Sequence, residues 1–512
     1  MTAGRNRLIL ILLILAVFGQ AASFSFLVYD DPININKNPA VTSPSLQQLV
    51  ALWKKPHQHL YIPATYTAWM GIASISNIIY GKLHPGLFHF ANIVLHLTNT
   101  LLVYAVLVRL LNYFPEDNKQ STNIAALLAA LIFALHPVQV EPICWATGLK
   151  DLLSAFFFLL ATYTLLIFSF QSRQKNTQPM TELTIVTGMY LLAILAKPQA
   201  VIFPFFIYIL IRYVLHTKPS PRLMFFMLLW LCMGLAITLL TKNVQPNPFH
   251  VSPLQRIHVA TDAALFYLGQ LIYPYPLLID YGKTLVLELT HPLQWVYPVT
   301  AILVTITLYF IRNGKMVLAS AALILISVAP VLGLLPFNFQ RISIVADRYL
   351  YIAVFAFSLG LALCIKKYFH PITLVMVILI ICSYGLVSFQ YGAKWRDTAT
   401  LMQYTLKKNP ASKIANQDLG VALMREGKMR EAIPYLKKAT DPVPTDMTTH
   451  FNLALSYACI GNIMAARQEK KMLMNKEPKL GTKLTYILPR IENTCSKNTY
   501  HSVHQRFQSA TK

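Results

Sequence analysis

The feature that most constrains this chain is a series of apolar stretches that recurs through its first 390 positions. Each is about 20 residues long, the number of helical residues that crosses a bilayer core of about 30 Å. Charged residues make up 12% of the chain, against roughly 25% in soluble domains. We therefore predict an all-α polytopic membrane domain with about eleven spans. The predicted spans are 8–27, 88–111, 123–140, 152–169, 183–196, 199–215, 223–241, 295–311, 316–335, 349–365 and 371–389.

The first apolar run follows Arg5 and Arg7, a pattern shared by membrane anchors and cleaved signal peptides. Signal-peptide apolar cores are usually about 7–15 residues long. This run is longer, although Ala21 and Ala22 near its end resemble a cleavage region. We interpret it as a retained anchor.

The formal net charge of +24 would indicate a nucleic-acid partner in a soluble protein. Here Lys and Arg mark alternate connections, as the positive-inside rule predicts for short cytoplasmic loops. No zinc-finger or RNA-binding signature accompanies the charge, so we predict no nucleic-acid partner. The other loops are longer and hold most of the acids, which places the N-terminus in the cytoplasm and the C-terminus outside it.

One stretch, 256–276, breaks this alternation of charge if it is counted as a span. It also carries Asp262 in its first third. We interpret it as an interfacial or re-entrant helix on the outer side.

The composition becomes polar and helical after Gln390. Gly427 marks a turn between two helical stretches, and Gly461 holds the same place in a second copy of the pattern. A period of 34 residues, with small residues where two helices cross, is typical of tetratricopeptide repeats. We predict a membrane domain over 1–390, a tetratricopeptide α-solenoid over 391–480 and a tail over 481–512. Because stable arrays usually need about three repeats, we expect this short array to dock on the membrane domain or on a protein partner.

The six cysteines are scattered and form no framework. Cys459 and Cys495 could pair in an oxidising compartment, but their spacing alone does not predict that bond.

Two adjacent acids, Asp30 and Asp31, follow the first span in a chain where only 20 of 512 residues are Asp or Glu. Ionisable groups at membrane depth are candidates for function. Neighbouring carboxylates raise each other's pKa or attract a cation or a proton, so the pair predicts a general base. A divalent-cation site is a weaker alternative, and a simple turn before Pro32 is another. We assign no metal ligand and leave a divalent cation open as the one candidate cofactor.

A polar group at the outer end between two later spans contains His136, Glu141, Lys150 and Asp151. We interpret this group as part of the candidate site. The alternative interpretation is that it is an ordinary helix terminus without a function, in which Lys150 and Asp151 form a local ion pair.

Three cations, Lys197, Arg341 and Arg348, lie beside the outer ends of predicted spans. Such groups offer charge-assisted hydrogen bonds to a phosphate, although a snorkelling side chain would have the same position. The chain has no P-loop, GxSxG, HExxH or Rossmann motif, so ATP-driven and protease chemistry have no support.

Five segments in this order carry a family resemblance: YDDP, HPVQVEPICWATGLKDLL, LAKPQAVIFP, ADRYLYIA and KWRDTATLMQYTLKKNP. With the repeats, they resemble the transmembrane and tetratricopeptide-repeat O-mannosyltransferase-like family. These are C-type membrane glycosyltransferases related to the protein O-mannosyltransferases. The resemblance covers residues 8 to about 480. It implies a polyprenyl-phosphate sugar donor, an acidic pair in the first outer loop, and acceptor chemistry outside the cytoplasm.

Residue by residue, Asp30 and Asp31 match the acidic pair, and Glu141 resembles a further acid in the next outer loop. Lys150 and Asp151 match a Lys-Asp at the start of the following span. The repeat array is shorter than in the animal members, and LAKPQ replaces their more acidic Ser-Lys-Glu version. We therefore expect a bacterial-type member in an inner membrane, or an endoplasmic reticulum protein if the source is eukaryotic.

The resulting hypothesis is an inverting transfer of a sugar, such as mannose, from a polyprenyl phosphate to a hydroxyl of a protein or glycan. Asp30, slightly favoured over Asp31, would be the base, and Lys197, Arg341 and Arg348 would stabilise the leaving phosphate. Two alternatives stay open. One is a membrane-anchored repeat scaffold without catalysis, and the other is a polymerase or ligase acting on lipid-linked oligosaccharide.

Overall fold

The computed structural model describes residues 3–57, 60–114, 119–171, 180–244, 251–285, 314–440 and 447–491. Within these ranges the regular structure is helical, and the extended pairing consists of an isolated bridge between His57 and Leu60. The prediction of an all-α chain is confirmed for this part of the sequence.

The chain divides into two compact units. The first comprises Met1–Phe26, Asp30–Ile279 and Lys283–Arg396, and the second comprises Leu27–Tyr29, Asp280–Gly282 and Asp397–Lys512. The α-helices described in the first unit are α1 (Ala3–Phe18), α2 (Pro39–Thr42), α3 (Leu46–Lys54), α4 (Pro63–Tyr80), α5 (Pro85–Tyr113), α6 (Lys119–Leu135), α7 (Val140–Cys144), α8 (Leu149–Gln171), α9 (Met180–Ala196), α10 (Phe203–Ile209), α11 (Pro221–Val244), α12 (Pro253–Ile272), α13 (Gly314–Val328), α14 (Tyr351–Lys367) and α15 (Pro371–Gly392).

Six helical stretches in the described residues are long and apolar enough to cross a membrane, or seven if a pair bent by 48° counts as one span. The chain is therefore an integral membrane protein, as predicted. Three shorter apolar helices coincide with further predicted spans, and the predicted span 295–311 lies outside the described residues. The count of about eleven stays a prediction. The six stretches are Gly4–Ser23, Pro85–Tyr113, Ala146–Ile167, Pro221–Asn243, Asp347–Lys367 and Pro371–Arg396.

Two helices of the first unit, α6 and α9, end where proline follows. Pro137 leaves His136 extended (φ −60°, ψ 129°) at the end of α6, and Pro198 leaves Lys197 extended (φ −155°, ψ 124°) at the end of α9. Proline disfavours the α conformation of the residue before it, so the sequence fixes both breaks. A third break has no proline: Ala346 is extended (φ −157°, ψ 144°) just before the turn that leads into α14.

The second unit is built from helical hairpins. Its helices are α16 (Thr398–Lys408), α17 (Lys413–Arg425), α18 (Met429–Thr440), α19 (Met447–Cys459), α20 (Ile463–Lys476) and α21 (Pro478–Ile491). The turns between α17 and α18 and between α19 and α20 contain Gly427 (φ 82°) and Gly461 (φ 81°). This left-handed conformation is most favourable for glycine. The two hairpins therefore repeat with the 34-residue period of the sequence, while their assignment as tetratricopeptide repeats stays a prediction.

Two short segments from earlier in the chain also belong to the second unit. Val28 donates its backbone N–H to Thr398 Oγ1 (2.9 Å), and Asp280 Oδ2 accepts from Ser412 Oγ (2.6 Å). Burial raises the pKa of Asp280, although hydrogen bonds from Ser412 and Gly282 oppose that rise. In the same unit Cys459 is disulfide-bonded, and its candidate partner Cys495 lies outside the described residues.

Candidate active site

The loop after α1 is held in place by a buried apolar cluster. Ile35, Val41 and Leu52 of that loop pack in one cluster with Tyr66 and Trp69 of α4. Ala146 and Leu149, at the turn before α8, belong to the same cluster. The loop carrying the acidic pair is thereby fixed against the turn that precedes Lys150 and Asp151.

Asp31 is fully buried and forms part of this fixation. Its Oδ1 accepts hydrogen bonds from the Thr147 backbone N–H (3.0 Å) and from Thr147 Oγ1 (2.6 Å). The turn is tight at Gly148, where a Cβ would lie 2.2 Å from the Pro142 carbonyl oxygen. Asp31 is therefore committed to binding a turn of the protein itself.

Asp30 has a different environment, because it is only partly buried. It lies close enough to Lys150 and Tyr66 to interact with both electrostatically. Burial, and then the Asp30 charge, raise the pKa of Tyr66 well above its usual range. The phenol therefore stays protonated and donates to Asn34 Oδ1 (3.2 Å). Asp30 is the member of the pair that an external hydroxyl could reach.

Glu141 and Arg348 form a buried ion pair across two of the helix breaks. The Arg348 backbone N–H also donates to Glu141 Oε2 (2.9 Å). The guanidinium lies against three aromatic rings, with its Cζ 4.2 Å from the Phe339 centroid, 5.0 Å from Tyr349 and 5.5 Å from Trp145. Cation–π contacts of this kind stabilise a cation that is removed from water.

Asp151 and Lys197 form a second buried ion pair, which joins the start of α8 to the break after α9. Lys197 Nζ also lies 4.9 Å from the centroid of the Tyr349 ring. A cavity of about 10 Å³ adjoins this pair, about the space that one water occupies. A sugar phosphate therefore cannot enter here unless the side chains move.

Lys150 differs from these two cations. Its Nζ lies 4.3 Å from the centroid of the Trp145 ring, and in the described residues no carboxylate oxygen lies within ion-pair distance of it. Asp151 and Asp30 attract its charge, whereas Arg348 and Lys197 repel it. The partly exposed pair of Asp30 and Lys150 is the reachable part of the cluster.

The contacts thus join seven of the predicted site residues and leave two aside. Those joined are Asp30, Asp31, Glu141, Lys150, Asp151, Lys197 and Arg348. His136 caps the break after α6, with its Nε2 3.1 Å from the Leu271 carbonyl oxygen and its ring 4.7 Å from the Tyr384 ring. Arg341 is exposed in a separate turn, Asn338–Arg341. Among the described residues no group of three His, Cys, Asp or Glu could hold a metal ion.

A polar stripe on α5 holds the breaks together, and the sequence analysis missed it. Asn92 Nδ2 donates to the Trp145 carbonyl (2.7 Å), and Asn99 Nδ2 donates to the Leu152 carbonyl (3.0 Å). The His96 ring contacts the Tyr351 hydroxyl (2.8 Å) and the Ala134 carbonyl (3.0 Å). The spacing of three, four and three residues from His89 onward puts four polar groups on one helix face. This period inside an apolar span was the available signal.

The similarity to known proteins extends over most of the chain. It is 23% identical over 450 residues to the human protein O-mannosyl-transferase TMTC3, covering 79% of this chain and 47% of the relative. It is 25% identical over 456 residues to the Caenorhabditis elegans protein O-mannosyl-transferase F38B6.6, covering 84% of this chain and 61% of that relative.

A shorter match has higher identity: 41% over 91 residues of the human protein O-mannosyl-transferase TMTC4, covering 17% of this chain and 12% of the relative. No protein-family model and no solved structure matches. The chain is therefore similar to protein O-mannosyl-transferases over most of its length. It spans about half the length of the curated relatives it matches, and its assignment to a bacterial-type branch of the family stays a prediction.

Proposed function

We propose that this chain is a membrane glycosyltransferase that moves a sugar from a polyprenyl phosphate to a protein hydroxyl on the extracytoplasmic face. The similarity to protein O-mannosyl-transferases supports the class of reaction. The observation that carries the assignment to these residues is the pair of Asp30 and Lys150, a partly exposed acid beside a partly exposed cation. The other acids of the cluster are already bound.

In this proposal Asp30 acts as the general base. Its carboxylate accepts the proton of the acceptor hydroxyl as the oxygen attacks the anomeric carbon. The bond between that carbon and the phosphate oxygen breaks, and its electron pair leaves with the polyprenyl phosphate. A single displacement of this kind inverts the anomeric configuration.

Lys150 is proposed as the first cation to meet the leaving phosphate. The phosphate gains negative charge in the transition state, and a fixed cation stabilises it there. Lys197 and Arg348 could contribute only by exchanging Asp151 and Glu141 for phosphate oxygens. Arg341 would have to act from an exposed turn. We therefore propose that donor binding rearranges the two ion pairs of the cluster.

The second unit is proposed to hold a protein. Tetratricopeptide hairpins stack so that their helices form an extended binding surface. In this scheme the repeats would bring a protein acceptor, or a partner that presents one, to the membrane enzyme. The sugar, the length of the donor lipid and the identity of the acceptor are left to experiment.

The test is transfer of mannose from polyprenyl-phosphate mannose to a Ser/Thr-containing peptide by the purified chain in lipid vesicles. Loss of a general base typically lowers the rate by about 10²- to 10⁴-fold, so Asp30→Asn should reduce turnover by that order while donor binding persists. Lys150→Met should weaken donor binding and lower turnover. Glu426→Gln removes an exposed acid of the second unit and serves as the control. Normal transfer by Asp30→Asn would refute the assignment of the base.

A further inference from the structure

A cavity of the first unit lies at the opposite end of the membrane helices from Asp30. Its volume is about 420 Å³, which is in the range of small-molecule sites. It is lined by Arg7, Tyr104, Ala105, Val108, Arg109, Asn112, Tyr113, Asn123 and Tyr163.

The position of this cavity follows from the helices that line it. Arg7 is near the start of α1, Arg109 is near the end of α5, and Asn123 is near the start of α6. Asn92, which binds the turn next to the candidate active site, precedes Arg109 by 17 residues on α5, or roughly 25 Å along the helix. The cavity therefore faces the leaflet that the charge pattern predicts to be cytoplasmic, and it is separate from the site of transfer.

The polar lining of the cavity suits an anion. Arg7 and Arg109 line it, and among the described residues no Asp or Glu does. Planar guanidinium groups bind phosphate through two parallel hydrogen bonds. Asn6 Nδ2 donates to the buried Tyr104 hydroxyl (2.9 Å). In that bond the Tyr104 oxygen is the acceptor. Its own proton has no acceptor in the described part of the chain, so the hydroxyl could donate it to a ligand.

The end of α5 would ordinarily oppose an anion, because the C-terminus of a helix carries partial negative charge. Here Lys366 neutralises it. Its buried Nζ donates to the carbonyl oxygens of Leu111 (2.8 Å) and Phe114 (2.9 Å), in the last turn of α5. The cavity thus lies beside a helix end whose carbonyl groups are already bound by a cation.

The rest of the lining is apolar or aromatic, with Ala105 and Val108 beside the rings of Tyr113 and Tyr163. A ligand that matches both the polar part and the apolar part of the lining has a phosphate head and an apolar body. We propose that this cavity binds the phosphate ester of a lipid in the leaflet opposite the site of transfer. A polyprenyl phosphate and an anionic glycerophospholipid share this chemistry. The proposal does not depend on the proposed transferase activity.

The test counts lipids bound to the delipidated, detergent-purified chain by native mass spectrometry. Polyprenyl monophosphate, phosphatidylglycerol and inorganic phosphate are titrated separately. Arg7→Gln and Arg109→Gln should each weaken the binding of one lipid molecule by roughly 10- to 150-fold, because each removes a hydrogen bond to a charged phosphate. Arg109→Lys keeps the charge but loses the planar donor pair, and it should weaken binding less. Whichever of the two lipids shows the loss is the source of the phosphate.

The matched control is Arg212→Gln, which removes an arginine outside the cavity lining, near the end of the apolar helical stretch Pro198–Val214. Equal weakening by Arg212→Gln would overturn the proposal, because it would reflect general surface charge. Unchanged lipid binding in Arg7→Gln and Arg109→Gln would also overturn it. Binding of inorganic phosphate as tight as that of either lipid would refute the apolar part of the site.

Discussion

At the scale of single residues, the adjacent acids show how environment assigns different roles to identical side chains. Asp31 Oδ1 accepts two hydrogen bonds from Thr147 and is fully buried, whereas Asp30 is partly exposed beside Lys150. A carboxylate that accepts hydrogen bonds is stabilised in its charged form. The structure therefore favours Asp30 for proton transfer and Asp31 for holding the turn.

Thr147→Val tests the structural role of Asp31. The substitution keeps the shape of the side chain and removes the hydroxyl that donates to Asp31 Oδ1. A buried acceptor that loses a donor typically destabilises the fold by about 1–3 kcal/mol. We expect a lower thermal-unfolding midpoint in detergent. Thr98→Val, whose exposed hydroxyl bonds within its own helix, should unfold like the wild type. Equal midpoints for all three proteins would contradict the role given to Asp31.

The Glu141–Arg348 pair allows a double-mutant test. Breaking a buried ion pair by removing one partner typically destabilises a protein by about 3–5 kcal/mol, because a charge is left buried alone. Arg348→Met and Glu141→Gln should therefore each lower stability. The double variant should be destabilised by less than the sum of the two, as measured by chemical unfolding in detergent. Strict additivity would mean that the two side chains do not interact.

At the scale of helices and turns, the breaks differ in how well the sequence predicts them. Pro137 and Pro198 mark two breaks directly, because proline removes a backbone donor and restricts the preceding residue. The ion-pair partners were not predictable, since Glu141 and Arg348 are 207 residues apart and only tertiary packing brings them together. The sequence offered Lys150–Asp151 as a local pair, but Asp151 pairs with Lys197 instead. The polar face of α5, by contrast, is visible in the sequence as a regular spacing of polar residues within an apolar span.

The short segment Asp280–Gly282 gives the second unit a dependence on pH. Burial raises the pKa of Asp280 above its ordinary value of 3.8, so the folded unit holds this proton more tightly than the unfolded chain does. The stabilising contribution is complete below pH 3.8 and is lost as the pH rises through the folded pKa. We expect Asp280→Asn, which is neutral throughout, to flatten this part of the dependence of unfolding on pH.

The measurement is protease resistance of the second unit in the detergent-solubilised chain, against temperature and pH. The control is Asp397→Asn. In the native chain Asp397 Oδ1 accepts from the Thr400 backbone N–H (2.8 Å), and the amide oxygen of Asn can accept the same bond. This variant should leave the pH dependence unaltered. An Asp280→Asn variant with the dependence of the wild type would show that another group titrates.

At the scale of the whole molecule, the disulfide bond of the second unit bears on which side of the membrane that unit occupies. Cys459 is disulfide-bonded, whereas Cys144, Cys232, Cys364 and Cys382 are free. Disulfides persist in oxidising compartments and are rare in the cytosol. The bond at Cys459 therefore agrees with the loop charges in favouring an extracytoplasmic second unit.

A reporter that is active only outside the cytoplasm, fused after residue 480, should therefore be active. Cys459→Ser should abolish the change in gel mobility on reduction, whereas Cys382→Ser should leave it unaltered. Activity of a cytoplasm-only reporter at the same position would overturn the topology. A chain whose Cys459 stays reactive towards thiol reagents in intact cells would do the same.

The polar stripe of α5 also sets an order for biosynthesis. Asn99 and His96 share the Tyr351 hydroxyl, which lies 252 and 255 residues later in the chain. At about 5–20 residues per second, the ribosome needs roughly ten to fifty seconds to make that partner after α5 has emerged. An unsatisfied polar group in hydrocarbon is unfavourable by several kcal/mol. During that interval α5 therefore depends on the partners that are made earlier, the Ala134 carbonyl for His96 and the Leu152 carbonyl for Asn99, and its remaining bonds to Tyr351 form only when α14 arrives.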